Sequence, residues 1–210
     1  MAERRRRIAL VTDAIGPFHR GGKELRYLEL APRLARDADV EVHTMRWWPG
    51  RRVRRDRGVT YRAICPLVPL YRGHRRSIRQ ALTFAVCCLR LLAARFDVIE
   101  ADHMPYLQLL PLKLVALLRR RRLVVTWHEC WGPDYWRDYL GRAGRIGWWC
   151  ESAALRLPDA IIAASPQTGE RLRGLVSDRV PVVVAPNGID RARIDRVAAT
   201  GGGPDIVTVG

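Results

Sequence analysis

The sequence predicts an α/β protein: a Rossmann-like, doubly wound parallel sheet. Three observations lead there. Short apolar runs recur along the chain, among them Ile8–Val11, Leu123–Thr126 and Ala160–Ala164, each of a length that suits a strand buried on both faces. Segments with apolar residues at helical spacing separate many of them. The order is strand, helix, strand, which is the signature of βαβ units rather than of a sandwich or a bundle. Ligands of such sheets sit beyond the carboxyl ends of the strands, so the residues that follow each strand carry the functional argument.

The elements follow in order. Ile8–Val11 is the first strand, and the loop TDAIGPFHR leads from it to the glycine pair Gly21-Gly22. From Lys23 to Arg36, Leu25, Leu28, Ala31, Leu34 and Ala35 recur at helical spacing, and Pro32 inside the pattern predicts a kink or an early end. Val40–Thr44 is a second strand. Trp47 to Arg57 reads as a loop, with Pro49, Gly50 and a dense run of arginines, and Val59–Ala63 as a short strand. Ser77–Arg95 carries Ile78, Leu82, Ala85, Leu89 and Leu92 down one side of a helix. Asp97–Glu100 is a strand, Pro105–Leu118 a helix and Leu123–Thr126 a strand. Ile146–Leu157 is helical and Ala160–Ala164 is a strand. A helix from Pro166 to Leu175 comes next, then the strand Val180–Ala185, which ends at Pro186-Asn187-Gly188. Ala198–Pro204 reads as a glycine-rich linker, and Asp205–Val209 as one more strand with no helix behind it. We therefore expect a domain over 1–194, a linker over 195–204, and in 205–210 the first strand of a second domain whose remainder is absent.

Composition narrows the chemistry. The chain has 37 basic and 21 acidic residues, for a formal charge of +16, and only Lys23 and Lys113 among the basic residues are lysines. The arginines cluster at 4–7, 51–57, 72–79 and 119–122, a surface that attracts phosphates of nucleotides, nucleic acids or anionic lipids. Five cysteines without a CxxC pair point to neither a disulfide framework nor a zinc site, and reduced thiols suit a cytoplasmic protein. The most apolar stretch, ALTFAVCCLRLLAA over 81–94, is too short to span a bilayer and carries Arg90.

Several short motifs could bind or act, and each has a plainer explanation. Gly21-Gly22 allows positive φ and close approach of a ligand to backbone amides, and the helix start behind it suits a diphosphate; a simple strand-to-helix turn is the alternative. The spacing is not GxGxxG and no acidic residue ends the second strand, which argues against a dinucleotide. His128 follows the strand of VVTWHE, where an imidazole could meet a sugar hydroxyl or a phosphate; a histidine bonded to backbone is the alternative. His19 and His103 share that ambiguity, and the three lack metal-ligand spacing, so no metal is expected. Asn187-Gly188 predicts a tight turn with positive φ. Trp127, Trp131, Tyr135, Trp136 and Tyr139 could stack on sugars or bases, or serve as core and surface flap. Tyr71–Ala94, basic at its head and apolar in its body, could lie in a membrane interface or simply cover the sheet.

As an ordered set, IALVTDAIGPFHRGGKE with LAPRLAR, DVIEADHMPY, VVTWHE, AIIAAS, VVVAPNGID and DIVTVG resembles the N-terminal half of a family 4 glycosyltransferase of the GT-B fold. The resemblance implies two Rossmann-like domains facing a cleft, with the donor nucleotide-sugar held mainly by the C-terminal one. It places Gly21 and Gly22 against the donor diphosphate and near the acceptor, His128 beside the transferred sugar, and Asn187 and Gly188 on the path to the second domain. The activity implied is sugar transfer from a nucleotide-diphosphate-sugar co-substrate to a glycan or lipid-linked acceptor, with retention and with no separate cofactor. The basic acceptor side suggests peripheral contact with an anionic membrane at its inner face. One departure is Asp37-Ala38-Asp39, where the family often has a Gly-His pair. A larger one is that the family's basic pair and paired glutamates would fall beyond residue 210, so the chain alone is expected to be incomplete for catalysis. Two other readings stand beside this one. The chain is a non-catalytic remnant, or one subunit of a split enzyme with a separate C-terminal partner. Alternatively it is a basic nucleic-acid-binding α/β domain, against which the scattered arginines and the lack of any nucleic-acid motif argue; no nucleic acid is expected as a partner.

Overall fold

A computed structural model describes residues 4–73 and 75–196. The expected last strand, and the expected linker from residue 197 on, lie outside the described residues.

The strands are β1 (Arg7–Val11), β2 (Asp39–Met45), β3 (Val53–Asp56), β4 (Val59–Cys65), β5 (Tyr71–Arg72), β6 (Arg75–Arg76), β7 (Val98–Asp102), β8 (Arg122–Trp127), β9 (Ala160–Ala163) and β10 (Val182–Val184). The helices are α1 (Gly22–Leu34), α2 (Ile78–Cys88), α3 (Leu109–Leu118), α4 (Gly132–Leu140), α5 (Gly144–Ala154), α6 (Pro166–Arg173) and the short α7 (Arg191–Ile194). Eight strands form one sheet in the order β10-β9-β8-β7-β1-β2-β4-β3, parallel throughout except for the edge strand β3, which runs antiparallel to β4. β5 and β6 make a separate small hairpin.

β1 sits in the middle because its alternate side chains are apolar on both faces. Ala9 and Val11 point to a core shared with Phe84 and Leu91 of the α2 region, Leu109, Leu112 and Val115 of α3, and Ile99, Leu123 and Val125 of the neighbouring strands. Leu10 points the other way, to a core with Tyr27 and Ala31 of α1, Val40, Val42, Tyr61 and Trp48. Helices thus cover both faces, and the predicted doubly wound α/β sheet is the observed one. The strand order reverses beside β1, since β2 lies on one flank and β7 on the other. That reversal opens a crevice at the carboxyl edge.

Four details differ from the sequence reading. α1 runs through Pro32 and stops two residues later, at Leu34; proline leaves the Leu28 carbonyl without its helical donor, and the Arg57 guanidinium donates to it at 3.4 Å. β3 forms inside the expected arginine loop, because Val53, Arg54, Arg55 and Asp56 pair with Arg62, Tyr61, Thr60 and Val59. Residues 132–140 are helical, with Pro133 in the first turn, where its missing N–H is harmless. Gly188 has no positive φ, so the expected tight turn at Asn187-Gly188 does not form.

Candidate active site

The site is assembled at the carboxyl edge by one lysine. Lys23, the second residue of α1, reaches down so that its ammonium lies 2.5 Å from Asp13 Oδ1, 2.6 Å from Asp102 Oδ2 and 3.1 Å from the Met104 carbonyl. Asp13 lies just past β1 and Asp102 ends β7, and both carboxylates are fully buried. Two of the ammonium's donors are hydrogen-bonded, to Asp13 and to the Met104 carbonyl, and Asp102 stands in ion-pair contact, so Lys23 pins α1 to two strands. Burial works against its charge, but Asp102 and Asp13 outweigh it and raise the pKa. Burial likewise works against the Asp102 carboxylate; Lys23 first, then His103, hold it well below the usual carboxylate range. Asp13 also accepts from Arg76 of the small hairpin at 2.9 Å and from Gln80 of α2 at 3.0 Å, and its carbonyl accepts from the Trp47 indole at 2.9 Å.

Around this core lie the residues marked by the sequence. Gly21 caps α1 in an extended conformation without a side-chain hydrogen bond, and Gly22 is the first helical residue. Neither glycine takes positive φ, so conformational freedom is not their use here. Close approach is: a β-carbon on Gly22 would meet nothing within 4 Å, which leaves the first amides of α1 open to an incoming group. At Gly21 the Glu24 carboxylate fills that space, and His19 Nδ1 stands 3.3 Å from Glu24 Oε1. His103 stacks on the buried Trp127 ring with centroids 5.1 Å apart and places Nδ1 3.3 Å from Asp102 Oδ1. His128, just past β8, lies 5.9 Å from the His103 ring, with Nε2 3.8 Å from Asp102 Oδ1. That separation is too long for a hydrogen bond, and Nε2 has no other partner. Burial lowers the His128 pKa to about 4 in spite of Asp102, so at neutral pH the ring is an uncharged group with one nitrogen unclaimed.

Gly22, His103 and His128 therefore share one edge, joined through Asp102 and Lys23. Asn187 lies one helical turn back along α1: Arg26 donates to Asn187 Oδ1 at 2.9 Å and to the Ala185 carbonyl at 3.2 Å. Gly188 follows with open space around it. A second buried carboxyl, Glu100, accepts from Thr126 Oγ1 at 2.5 Å and from the Tyr27 hydroxyl at 3.0 Å. Burial pushes it up to about 7 against those two bonds. The aromatic residues divide between the two expected roles. Trp127 and Trp136 are buried, while Tyr135 and Tyr139 are exposed on α4. Among the described residues no group of three or more His, Cys, Asp or Glu is placed to hold a metal ion.

The family model for Glycosyltransferase Family 4 matches residues 20–193, most of the chain. The chain belongs to glycosyltransferase family 4. No curated protein matches the sequence closely enough to count as a relative. Among solved structures, this family 4 chain is similar to sucrose-phosphate synthase from Thermosynechococcus elongatus, at 18% identity and TM-score 0.64, covering 91% of this chain and 53% of that one. It is also similar to Anabaena HepE in complex with UDP-glucose, at 16% identity and TM-score 0.54, covering 88% and 44%. Arabidopsis thaliana UGT89C1 complexed with UDP-L-rhamnose matches at 11% identity and TM-score 0.58, covering 91% and 54%. At these identities the likeness shows the shared fold, and the chain spans about half the length of the structures it resembles.

Sequence reasoning missed the family 4 chain's Lys23, Asp13 and Asp102. Each had a signal: Asp13 and Asp102 lie two residues past the expected strands Ile8–Val11 and Asp97–Glu100, and Lys23 follows the glycine pair. A cavity of about 780 Å³ lies elsewhere, over the face of β2, β4 and β3 between Arg52, Arg62 and Arg90. None of the residues marked for binding lines it. Its walls are these strands and Arg90 with Ala93–Arg95 behind α2, whereas the strand order reverses at the carboxyl edge.

Proposed function

We propose that this chain supplies the acceptor-side half of a glycosyltransferase, moving a sugar with retention from a nucleotide-sugar to a glycan or lipid-linked acceptor. The observation that supports it is the convergence of Gly22, His128 and Asn187 beside α1, on an edge where two buried carboxylates are already neutralised by Lys23 and Arg76. An anionic ligand then meets the open amide of Gly22 beside the neutralised Asp13 and Asp102, with the Glu24 carboxylate at Gly21 as the negative group nearest to it. Neutral His128, whose side chain is 15% exposed at this edge, is the residue we assign beside the transferred sugar. Gly21 shapes the turn, and Asn187 with Gly188 carries the chain past the site toward a second domain or subunit. That second unit would stabilise the leaving diphosphate with further cations. Its need is consistent with the chain spanning about half of its structural neighbours.

Saturation-transfer NMR against a panel of nucleotide-sugars tests this reading. We expect sugar-ring signals with at least one donor, and their loss in His128→Ala while the fold persists by circular dichroism. Donor signals that are the same in the variant would remove the role given to His128.

A further inference from the structure

The helices on one face of the sheet carry apolar side chains that the fold leaves uncovered. On α2, Ile78, Leu82 and Val86 form one outward stripe. On α3, Leu110, Leu114 and Leu117 form another, and the six side chains are 48% to 73% exposed. α2 and α3 pack against each other, so the stripes lie side by side. On α5, in the same layer, Ile146 and Trp149 are exposed by about two-thirds. Single exposed apolar residues need no explanation, but a contiguous patch marks a surface that meets something.

The charge around the patch says what it meets. Residues 71–96 and 103–128, which include all of α2 and α3, contain no aspartate or glutamate, although the chain has 21 acidic residues. The same windows hold Arg72, Arg75 and Arg79 at the head of α2 and Arg119 to Arg122 at the end of α3. Among the described residues, Arg72, Arg75, Arg79, Arg120 and Arg122 make no ion pair. A second copy of this chain would bring like charge against like charge. An apolar stripe flanked by unpaired guanidinium groups matches a bilayer surface, with acyl chains beneath and phosphates at the rim.

We propose that the α2–α3 face docks on an anionic phospholipid bilayer, with Leu82, Val86, Leu114 and Leu117 entering the acyl boundary and the flanking arginines holding lipid phosphates. No helix here is long and apolar enough to cross a membrane, so the contact is in the plane of the interface. The inference stands apart from the sugar-transfer reading, because binding to lipid is measured without donor or acceptor.

Vesicle sedimentation with the full chain tests it, using phosphatidylcholine alone and with phosphatidylglycerol. Binding should favour the anionic vesicles and fall as salt rises. Leu114→Ser with Leu117→Ser should weaken it roughly tenfold or more, and Arg72→Gln with Arg79→Gln should remove much of the anionic preference. Both pairs are exposed, so circular dichroism should show intact folds. Equal binding to both vesicle types, or unchanged binding by the leucine pair, would overturn the proposal. So would a dimer in sedimentation velocity that the leucine pair abolishes, since the occupant would then be a second copy.

Discussion

Lys23 is the residue on which the carboxyl edge depends. Removing this buried cation leaves the Asp102 carboxylate desolvated without its main counter-charge, while Asp13 keeps Arg76 and Gln80, and breaking such a buried pair costs about 3–5 kcal/mol. Lys23→Met should therefore lower the melting temperature sharply, while Lys23→Arg with its larger fork should not restore it; thermal unfolding followed by circular dichroism checks both. Protonation at three buried groups makes stability depend on pH. Burial sets His43 and His128 at about 4, below the ordinary value of about 6.5. Between those values the unfolded chain binds more protons, so each histidine makes stability rise with pH. Glu100 at about 7 has the opposite sign: above about 4.5 the folded chain binds the extra proton, so stability falls as pH rises toward 7. Two histidines against one carboxyl give a net rise from pH 4 to 6.5. Glu100→Gln should steepen that rise, by up to about 1.4 kcal/mol per pH unit, in urea titrations at several pH values.

At the scale of elements, the packing of α4 on α5 is set by two glycines and one acid. A β-carbon on Gly147 would collide with the Trp136 ring, and one on Gly144 with the backbone at Trp136 and Arg137. Gly147→Ala should destabilise by about 1–3 kcal/mol through overpacking, and chemical denaturation measures it. Glu151 of α5 completes the joint by accepting from the amides of Trp131 and Gly132 and from the Trp136 indole. This joint was not legible in the sequence, where no helix is expected between the strand ending at Thr126 and the helix starting at Ile146. The cap is a carboxylate nineteen residues downstream of α4's start, and helix periodicity does not show such a long-range partner. The central strands were legible because burial on both faces writes a continuous apolar run, as in Ile8–Val11. β3 was not, since an edge strand of Val53, Arg54, Arg55 and Asp56 carries no such run and is made by pairing with β4. The site was legible in part. Gly22 and His128 are marked by position after a strand or before a helix, whereas the ion pairs that join them depend on how far Lys23 reaches across β1 and β7.

For the whole molecule, the sheet separates two surfaces. The carboxyl edge gathers neutralised carboxylates, open amides and an uncharged histidine, while the α2–α3 face gathers leucines and unpaired arginines. An acceptor anchored in a bilayer would meet both, which ties the charge of +16 to a use. In the function proposed above, the edge between α1 and β8 receives an activated sugar. Amide hydrogen exchange with and without a saturating nucleotide-sugar tests it most directly. We predict slowed exchange confined to residues 19–25, 101–104, 127–130 and 185–190. Slowed exchange over residues 52–62 and 90–95, with none at the carboxyl edge, would contradict it.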